Sequence, residues 1–422
     1  MKQGLRALRH RNFRVFYAGM AISVFGTWMQ TVGASWLVYQ LTGSAFLLGL
    51  VAAAQQLPML VLGPIAGVWA DRVDRRRLLV ATQVVALLQA ALLAALTFAG
   101  AVTVTHVVLV SLVLGLTVAI ETPTRQAFLL ELVESKEDLP NAIALQSTMF
   151  NSARLVGPTL AGFVVAGFGE AWCFVLNALS YFGILAAYTA IRVGPRERRA
   201  RPAHLAAELA AGFRWVFGLM PARRLILLIA GVSFFSAPWQ PLMPIVAAER
   251  FGGDSRTLGM LIGAVGGGAL CGTLFLALRS SVLGLGRMIA GASVAAGVGL
   301  TLFAIAPWLP LAALGLPVLG FGVIVAGAST NTILQTVADE DLRARVISIY
   351  VTVFLGMGPI GNFLAGAIAE RIGARWTLFA YGLALTACAA AFVHGYAAWR
   401  VAMREVYARL GMIAGPRGGA GG

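Results

Sequence analysis

Charge is what this chain has least of. Charged residues fill 12% of its 422 positions, about half the share in an ordinary soluble domain. Lysine is confined to Lys2 and Lys136, and 17 acidic residues face 32 basic ones, for a net charge of +15. The three cysteines, Cys173, Cys271 and Cys388, lie far apart inside apolar segments, with no neighbours at metal-ligand spacing. That excludes a disulfide scaffold and a zinc site, and leaves them as small apolar packing residues with no metal expected. His10, His106, His204 and His394 are scattered near loops or helix ends. No Gly-x-x-x-x-Gly-Lys-Ser/Thr loop exists to hold ATP, and no nucleophile sits beside a base, so neither an ATP-driven pump nor an enzyme is expected. The basic residues fall in loops between apolar runs, where they set membrane orientation, so no nucleic-acid partner is expected.

What is present is apolar length. Hydrophobic residues reach 59%, mean hydropathy is +0.83, and 49 residues are glycine. Residues 46–70 carry no charge and then meet the cluster Asp71-Arg72-Val-Asp74-Arg75-Arg76-Arg77. A bilayer core takes about 20 apolar residues of helix, so this reads as a membrane helix reaching the cytoplasm. The same pattern recurs at 13–41, 46–70, 78–99, 104–128, 141–168 and 171–191, then at 225–248, 257–278, 287–306, 309–336, 346–369 and 376–399. The expectation is an all-α membrane protein of twelve transmembrane helices in two six-helix bundles related by a pseudo-two-fold axis. The first run begins near Phe13 and is far longer than a leader's apolar core, so it is expected to be the first membrane helix.

The bundles are expected at 1–191 and 225–400. Between them, 192–224 holds Arg196, Arg198, Arg199 and Arg201, then an amphipathic stretch at 205–217, and reads as a cytoplasmic linker with a helix. Residues 401–422 read as a cytoplasmic tail, with the glycine-rich 415–422 disordered. Only Arg250, Arg256, Arg371 and Arg375 fall on the outer side under this topology, against 26 basic residues on the inner side, which places both termini in the cytoplasm.

The two sets repeat. Asp138-Leu-Pro-Asn-Ala-Ile-Ala-Leu-Gln146, leading into Gly157-Pro158 and Ala161-Gly162, has a counterpart about 203 residues on in Asp341-Leu-Arg-Ala-Arg-Val-Ile-Ser-Ile349, Gly358-Pro359 and Ala365-Gly366. Repeated bundles imply an axis along the membrane normal and a solute site between the halves.

These residues resemble the major facilitator superfamily over nearly the whole chain. The block from Gly67 to Arg77 is similar to the loop motif between the second and third helices. The resemblance implies that Gly67, Asp71, Arg72 and Arg76 gate the two halves, the Asp capping a neighbouring helix and the arginines meeting its carbonyl end. Arg154-Leu-Val-Gly157-Pro158-Thr-Leu-Ala161-Gly162 resembles the glycine-proline motif of antiporters in this superfamily, with Ala161 where a glycine pair is usual. Read from the residues alone, Gly157, Ala161 and Gly162 offer a small-residue packing face and Pro158 bends the helix. Pro123-Thr-Arg125-Gln-Ala-Phe and Arg343-Ala344-Arg345 resemble the branch of enterobactin-exporter-like and macrolide- or drug-efflux transporters, whose loop usually reads Arg-Gly-Arg. The resemblance also implies a monomer.

An ionisable group at membrane depth costs a few kcal/mol and so needs a partner or a task. Glu121 is the acid set well inside an apolar run, with Arg125 four residues on along the same helix face, and Arg154 is the other buried candidate. Burial and a neighbouring guanidinium act in opposite senses on a carboxyl, a balance suited to proton exchange. Glu121 is therefore a candidate proton carrier modulated by Arg125 or Arg154, either of which could also bind an anionic substrate. A static ion pair locking two helices is the competing reading. Trp28, Gln30, Gln55, Gln56, Asn151, Phe235, Trp239, Gln240, Asn331, Gln335 and Asn362 are candidates for the cavity wall, each also explicable as interhelical glue. Phe234, Phe235, Pro238, Trp239, Pro241 and Pro244 predict a broken seventh helix with aromatic faces.

The expectation is a secondary transporter: a proton-coupled exporter of a hydrophobic or amphipathic small molecule such as a siderophore, macrolide or other drug. It would need no cofactor, with the proton gradient as energy source and with protons and membrane lipid as its other partners. A lysophospholipid-like lipid carrier and an uncoupled facilitator are the alternatives within transport, and a membrane-embedded enzyme or channel the alternatives outside it. Abundant Ala, Gly and Arg point to a high-GC bacterium and its cytoplasmic (inner) membrane.

Overall fold

The computed structural model describes residues 2–70, 73–133, 135, 137–192, 205–279 and 281–413, without the side chains of 2–4, 63–70, 205–209 and 344. The described residues are helical almost throughout. A short 3-10 segment, Lys2–Arg9, leads into α1 (Arg11–Thr42), α2 (Ala45–Ala70), α3 (Arg75–Phe98), α4 (Val104–Leu132), α5 (Leu139–Phe168) and α6 (Glu170–Ala190). After α7 (Leu205–Gly218) come α8 (Met220–Ser236), α9 (Trp239–Ile245), a π-helical turn (Val246–Arg250), α10 (Ser255–Ala277), α11 (Leu285–Ile305), α12 (Leu309–Val337), α13 (Glu340–Ile372), α14 (Ala374–His394) and α15 (Tyr396–Arg409).

Among the described residues, ten segments are long and apolar enough to cross a bilayer, with Met220–Arg250 counted as one. Of the twelve expected runs, those in α1 and α5 fall outside this set. At 32 and 30 residues both helices are ample in length, but each mixes Arg, Asn, Gln, Ser and Thr among its apolar residues. The expected break in the seventh run is present. Helix α8 stops at Ser236 and Pro238 precedes α9, which itself contains Pro244, because proline supplies no backbone donor and crowds the preceding turn.

Helix ends are set by local chemistry. The Asp74 side chain accepts from the Arg77 backbone N–H, Thr103 from that of His106, and Asp254 from those of Arg256 and Thr257, filling first-turn donors that have no partner in the helix. Gly169 and Gly373, at φ 91° and 83°, make the tight joints between α5 and α6 and between α13 and α14. The same joint at the same place in both sets of helices is the structural trace of the sequence repeat.

Helices α1–α6 form one half and α8–α14 the other. In the first half α1 packs on α6, α2 on α4 and α3 on α6; in the second, α11 lies between α12 and α14. The halves meet along α2 with α13 and α5 with α10. Both meetings depend on glycine: a Cβ on Gly49 would lie 2.6 Å from the Asn362 carbonyl oxygen, and one on Gly259 2.5 Å from that of Pro158. Ser44 Oγ and the Phe46 N–H donate to Glu370 Oε2 at 3.0 and 2.9 Å, and Ser255 Oγ donates to the Gly162 carbonyl at 3.0 Å. These bonds fasten the halves at the end of the molecule away from the chain termini.

One feature departs from expectation. The run 376–399 is interrupted: α14 stops at His394, Gly395 makes a turn, and α15 continues to Arg409, across the expected boundary at 400. Residues 193–204 of the linker and 415–422 of the tail lie outside the described residues.

Candidate functional site

A cavity of about 430 Å³ lies inside the first half and is closed on one side by the second. Two helix faces build most of it. From α1 come Met20, Ser23, Val24, Thr27, Trp28 and Thr31, and from α4 come Leu114, Thr117, Val118, Glu121, Thr122 and Arg125. Both series follow the three-and-four spacing that puts residues on one face of a helix. Gln55, Gln56 and Met59 of α2, Gln83 and Ala86 of α3, Phe150 of α5 and Tyr181 of α6 complete this half's wall, and Gln240 and Leu355 are the second half's contribution.

The charged chemistry is compact. Arg125 Nε donates to Glu121 Oε1 at 2.6 Å, both side chains are largely buried, and the Arg125 guanidinium lies 4.8 Å from the centre of the Phe150 ring. One turn beyond Phe150, the Arg154 guanidinium sits 5.7 Å from the Trp28 ring centre, and among the described residues it has no carboxylate or hydrogen-bond partner. Trp28 thus faces the cavity and supports a cation as well. Two guanidinium groups against one carboxylate leave this region with an excess positive charge.

The expected wall residues divide. Trp28, Gln55, Gln56 and Gln240 line the cavity. Gln30 does not: it is 3% exposed, donates to Gln89 Oε1 at 2.9 Å and accepts from Asn177 Nδ2 at 2.6 Å, tying α1 to α3 and α6. Asn151 donates to the Ser147 carbonyl within its own helix. Phe235 packs edge-on against Phe234 and Tyr381 at 5.0 and 5.6 Å, so its ring belongs to the joint of α8 with α14. Trp239 is half-buried against the apolar core. Asn331, Gln335 and Asn362 are away from the cavity wall; Asn362 is 1% exposed, beside the contact of α13 with α2. Gln30 thus serves helix packing, whereas the side-chain oxygens of Asn331 and Asn362 are buried without a hydrogen-bond partner among the described residues.

Of the expected gating residues, Asp71, Arg72 and the Gly67 position's surroundings lie outside the described residues. Arg76 donates from Nε to the Tyr188 carbonyl at 2.6 Å and from Nη2 to the Thr189 carbonyl at 2.8 Å. It therefore meets the carbonyl end of α6, as the motif implies, where a cation also complements the helix dipole. That contact lies within the first half, joining α3 to the end of α6. In the glycine-proline segment, Gly157 faces Trp28, the Pro158 carbonyl approaches Gly259, and Gly162 accepts from Ser255. Ala161 is fully buried. The segment is the face of α5 that packs against α1 on one side and α10 on the other.

Sequence reading passed over Met20, Thr27, Thr31, Met59, Thr117, Thr122, Phe150 and Tyr181. The signal that could have found them is the hydroxyl series Ser23, Thr27 and Thr31 at spacing four, matched on α4 by Thr117, Glu121 and Arg125.

Two packed bundles of membrane-spanning helices, with a partly polar cavity in the first closed on one side by the second, are the architecture of a membrane transporter. Residues 2–407 match the family described as transmembrane secretion effector, and the chain belongs to that family of the major facilitator superfamily. It is similar to the multidrug efflux pump Tap of Mycolicibacterium fortuitum, at 26% identity over 85% of this chain and 89% of that protein. It is also similar to the staphyloferrin A transporter of Staphylococcus aureus, at 24% identity over 88% and 92% of the two chains. Among solved structures, a POT family transporter superposes with a TM-score of 0.72 at 12% identity, over 92% of this chain and 96% of the other. The nucleoside transporter NupG superposes at 0.66 and 15% identity, over 92% and 98%. These likenesses establish the fold. The family and these relatives are transporters, so the chain is a multi-pass transporter and not an enzyme.

Proposed function

We propose that this protein exports a hydrophobic or amphipathic small molecule, a drug or a siderophore, across a bacterial inner membrane in exchange for protons. The chain would cross twelve times, with α1 and α5 completing the ten apolar spans, as bundles 1–191 and 225–400 joined by the linker 192–224. The basic termini and linker support a cytoplasmic location for their end of the molecule. Fastening of α2 to α13 and of α5 to α10 at the far end is then the closure of an inward-facing carrier, and alternating access requires those joints to open as the halves rock. The protein would work as a monomer without a cofactor, drawing on the proton gradient.

The observation that carries this reading is the cavity of about 430 Å³, apolar apart from hydroxyls, amides and the Glu121–Arg125 pair. Its size suits a small organic molecule. The Arg154 guanidinium is not on the cavity wall but lies 5.7 Å from the ring of Trp28, which is, and its positive charge beside the cavity favours a substrate that is neutral or carries an anionic group. The names of the similar transporters, a multidrug efflux pump and a siderophore transporter, agree with such cargo. Protonation of Glu121 would release Arg125 to the substrate, and rebinding of Arg125 would expel the proton. The test is movement of an amphipathic dye in proteoliposomes with an imposed pH gradient. Gradient-driven movement that Glu121→Gln abolishes is the expected result; equal movement without a gradient in both proteins would overturn proton coupling and leave a facilitator.

A second reading, a lysophospholipid-like lipid carrier, draws on one feature. An apolar groove of about 740 Å³, formed by residues of α5, α10 and α12 including Thr159, Gly263, Gly267, Cys271 and Phe321, faces outward beside the joint of α5 with α10. Competition of a lysophospholipid with the dye would favour it.

A further inference from the structure

At the terminus-bearing end of the second half, far from the transport cavity, α15 folds back across the loop that joins α10 to α11 and encloses a groove of about 640 Å³. The groove is firmly built. Trp399 Nε1 donates to the Pro221 carbonyl at 3.1 Å, and Arg224 Nη1 donates to the Gly395 carbonyl at 2.7 Å. Gly286 leaves room for the Trp399 ring, which lies where a Cβ would otherwise stand. On the opposite wall, Arg279 Nε donates to the Ser281 carbonyl at 3.1 Å and Nη2 donates to that of Leu283. The floor is apolar and buried, with Trp399, Met403 and Tyr407 on one face of α15.

The rim is basic. Arg279, Arg287, Arg400 and Arg404 all line this one groove, and no acidic residue does. Arg287, Arg400 and Arg404 have no carboxylate or hydrogen-bond partner among the described residues. Arg400 and Arg404 are four apart on one helix face, where like charges repel. Arginines that merely set topology stand apart in water; four converging on a concavity with an aromatic floor call for an anion. Among the described residues, no carboxylate answers Arg287, Arg400 or Arg404, and the tail 414–422 carries no acid in its sequence. The groove lies where the apolar spans Ser255–Ala277 and Leu285–Ile305 meet, beside the stacked rings of Tyr396 and Trp399. Aromatic rings favour the boundary of a bilayer.

We propose that this groove binds the phosphate of an anionic phospholipid headgroup, the arginines holding the phosphate and the Trp399–Met403–Tyr407 floor receiving the glycerol and upper acyl carbons. A bound lipid would bridge α15 to the α10–α11 loop and fix the second half to the charged leaflet while the first half moves. Basic pockets at this depth are suited to such headgroups.

The test uses the full chain purified in neutral detergent. Its thermal midpoint is followed against added phosphatidylglycerol, phosphatidylcholine or inorganic phosphate, in wild type and in the triple variant Arg287→Gln, Arg400→Gln, Arg404→Gln. Phosphatidylglycerol should raise the midpoint saturably, and the other two additives should not. Each arginine neutralised should weaken the apparent affinity about fivefold, and the triple Lys variant should keep most of it. An equal response to phosphatidylcholine, or an unchanged response in the triple Gln variant, would overturn the proposal. A full response to inorganic phosphate would replace the lipid with a soluble anion. Should the triple variant fail to fold, Arg404→Gln alone, with retained phosphatidylglycerol counted by native mass spectrometry, decides the matter in the same terms.

Discussion

Arg154 is a cation with an aromatic face for company and, among the described residues, no carboxylate partner. A guanidinium at this depth is costly unless something compensates it, and contact with Trp28 supplies only part of what is needed, about 0.5–2 kcal/mol. The uncompensated charge lies behind Trp28 of the cavity wall and would act on a bound substrate electrostatically. Arg154→Gln should therefore raise KM for an anionic amphipathic substrate by roughly tenfold, the equivalent of about 1.4 kcal/mol, and leave a neutral one nearly unchanged. Competition assays with a matched acid and ester in proteoliposomes would show this, and equal effects on both would assign Arg154 to packing. Gln30 and Gln55 make a second contrast. Gln30→Leu strands the side chains of Gln89 and Asn177, buried groups whose lost partner costs about 1–3 kcal/mol; it should lower the melting temperature and spare the substrate profile. Gln55→Leu, on the cavity wall, should do the reverse. Thermal unfolding and substrate competition, measured on both variants, separate the two roles.

At the scale of elements, the amino-terminal segment is pinned to the start of α5. Asp138 is buried, takes a hydrogen bond from Arg9 Nη2 at 2.8 Å, and lies 2.9 Å from His10 Nε2, with Arg6 at 3.7 Å. The bonds from His10 and Arg9 hold its carboxyl below the usual aspartate range, against the opposing effect of burial. A depressed carboxyl lends stability that is complete above about pH 4, the unfolded value, and drains away as pH falls further toward the folded one. Unfolding midpoints measured from pH 7 down to pH 3 should fall more steeply below pH 4 in wild type than in Asp138→Asn. The variant should start lower at neutral pH. Much at this scale was legible in the sequence. Prolines 238, 241 and 244 announced the break between α8 and α9, and the repeated Gly-Pro steps announced α5 and α13. The cavity faces of α1 and α4 were legible in principle, because hydroxyls at spacing four mark a face. Gln30 was not legible, since whether an amide points to a cavity or a neighbouring helix is decided by three helices at once. Helix α15 was missed because Trp399 and its neighbours read as a continuation of the membrane run, and only the turn at Gly395 separates them.

For the molecule as a whole, the joint between α2 and α13 is where function and stability meet. Glu370 accepts from Ser44 Oγ and from the Phe46 N–H at the start of α2, so one carboxylate on the second half caps a helix of the first. Hydrogen bonds to a charged group are worth about 1.5–3 kcal/mol net, less where water competes. Gly49 and Gly366 let the two backbones approach behind it, and that packing has no polar substitute. Glu370→Gln keeps the size and loses the charge, so it should loosen the far end without unfolding either bundle. If alternating access works by opening this joint, the variant shifts the population toward the outward-facing state by roughly tenfold, the share of a bond worth about 1.4 kcal/mol. A cysteine placed at Thr31 in a cysteine-free background reads the shift directly, because Thr31 lines the cavity. A membrane-impermeant maleimide added from outside should label it slowly in the wild-type frame and about ten times faster with Glu370→Gln. Gly49→Leu should act more strongly in the same direction, since its side chain would collide with the Asn362 carbonyl. Unchanged labelling in both variants would mean that the halves are not held by this joint, and that the closure resides in α5 and α10 alone.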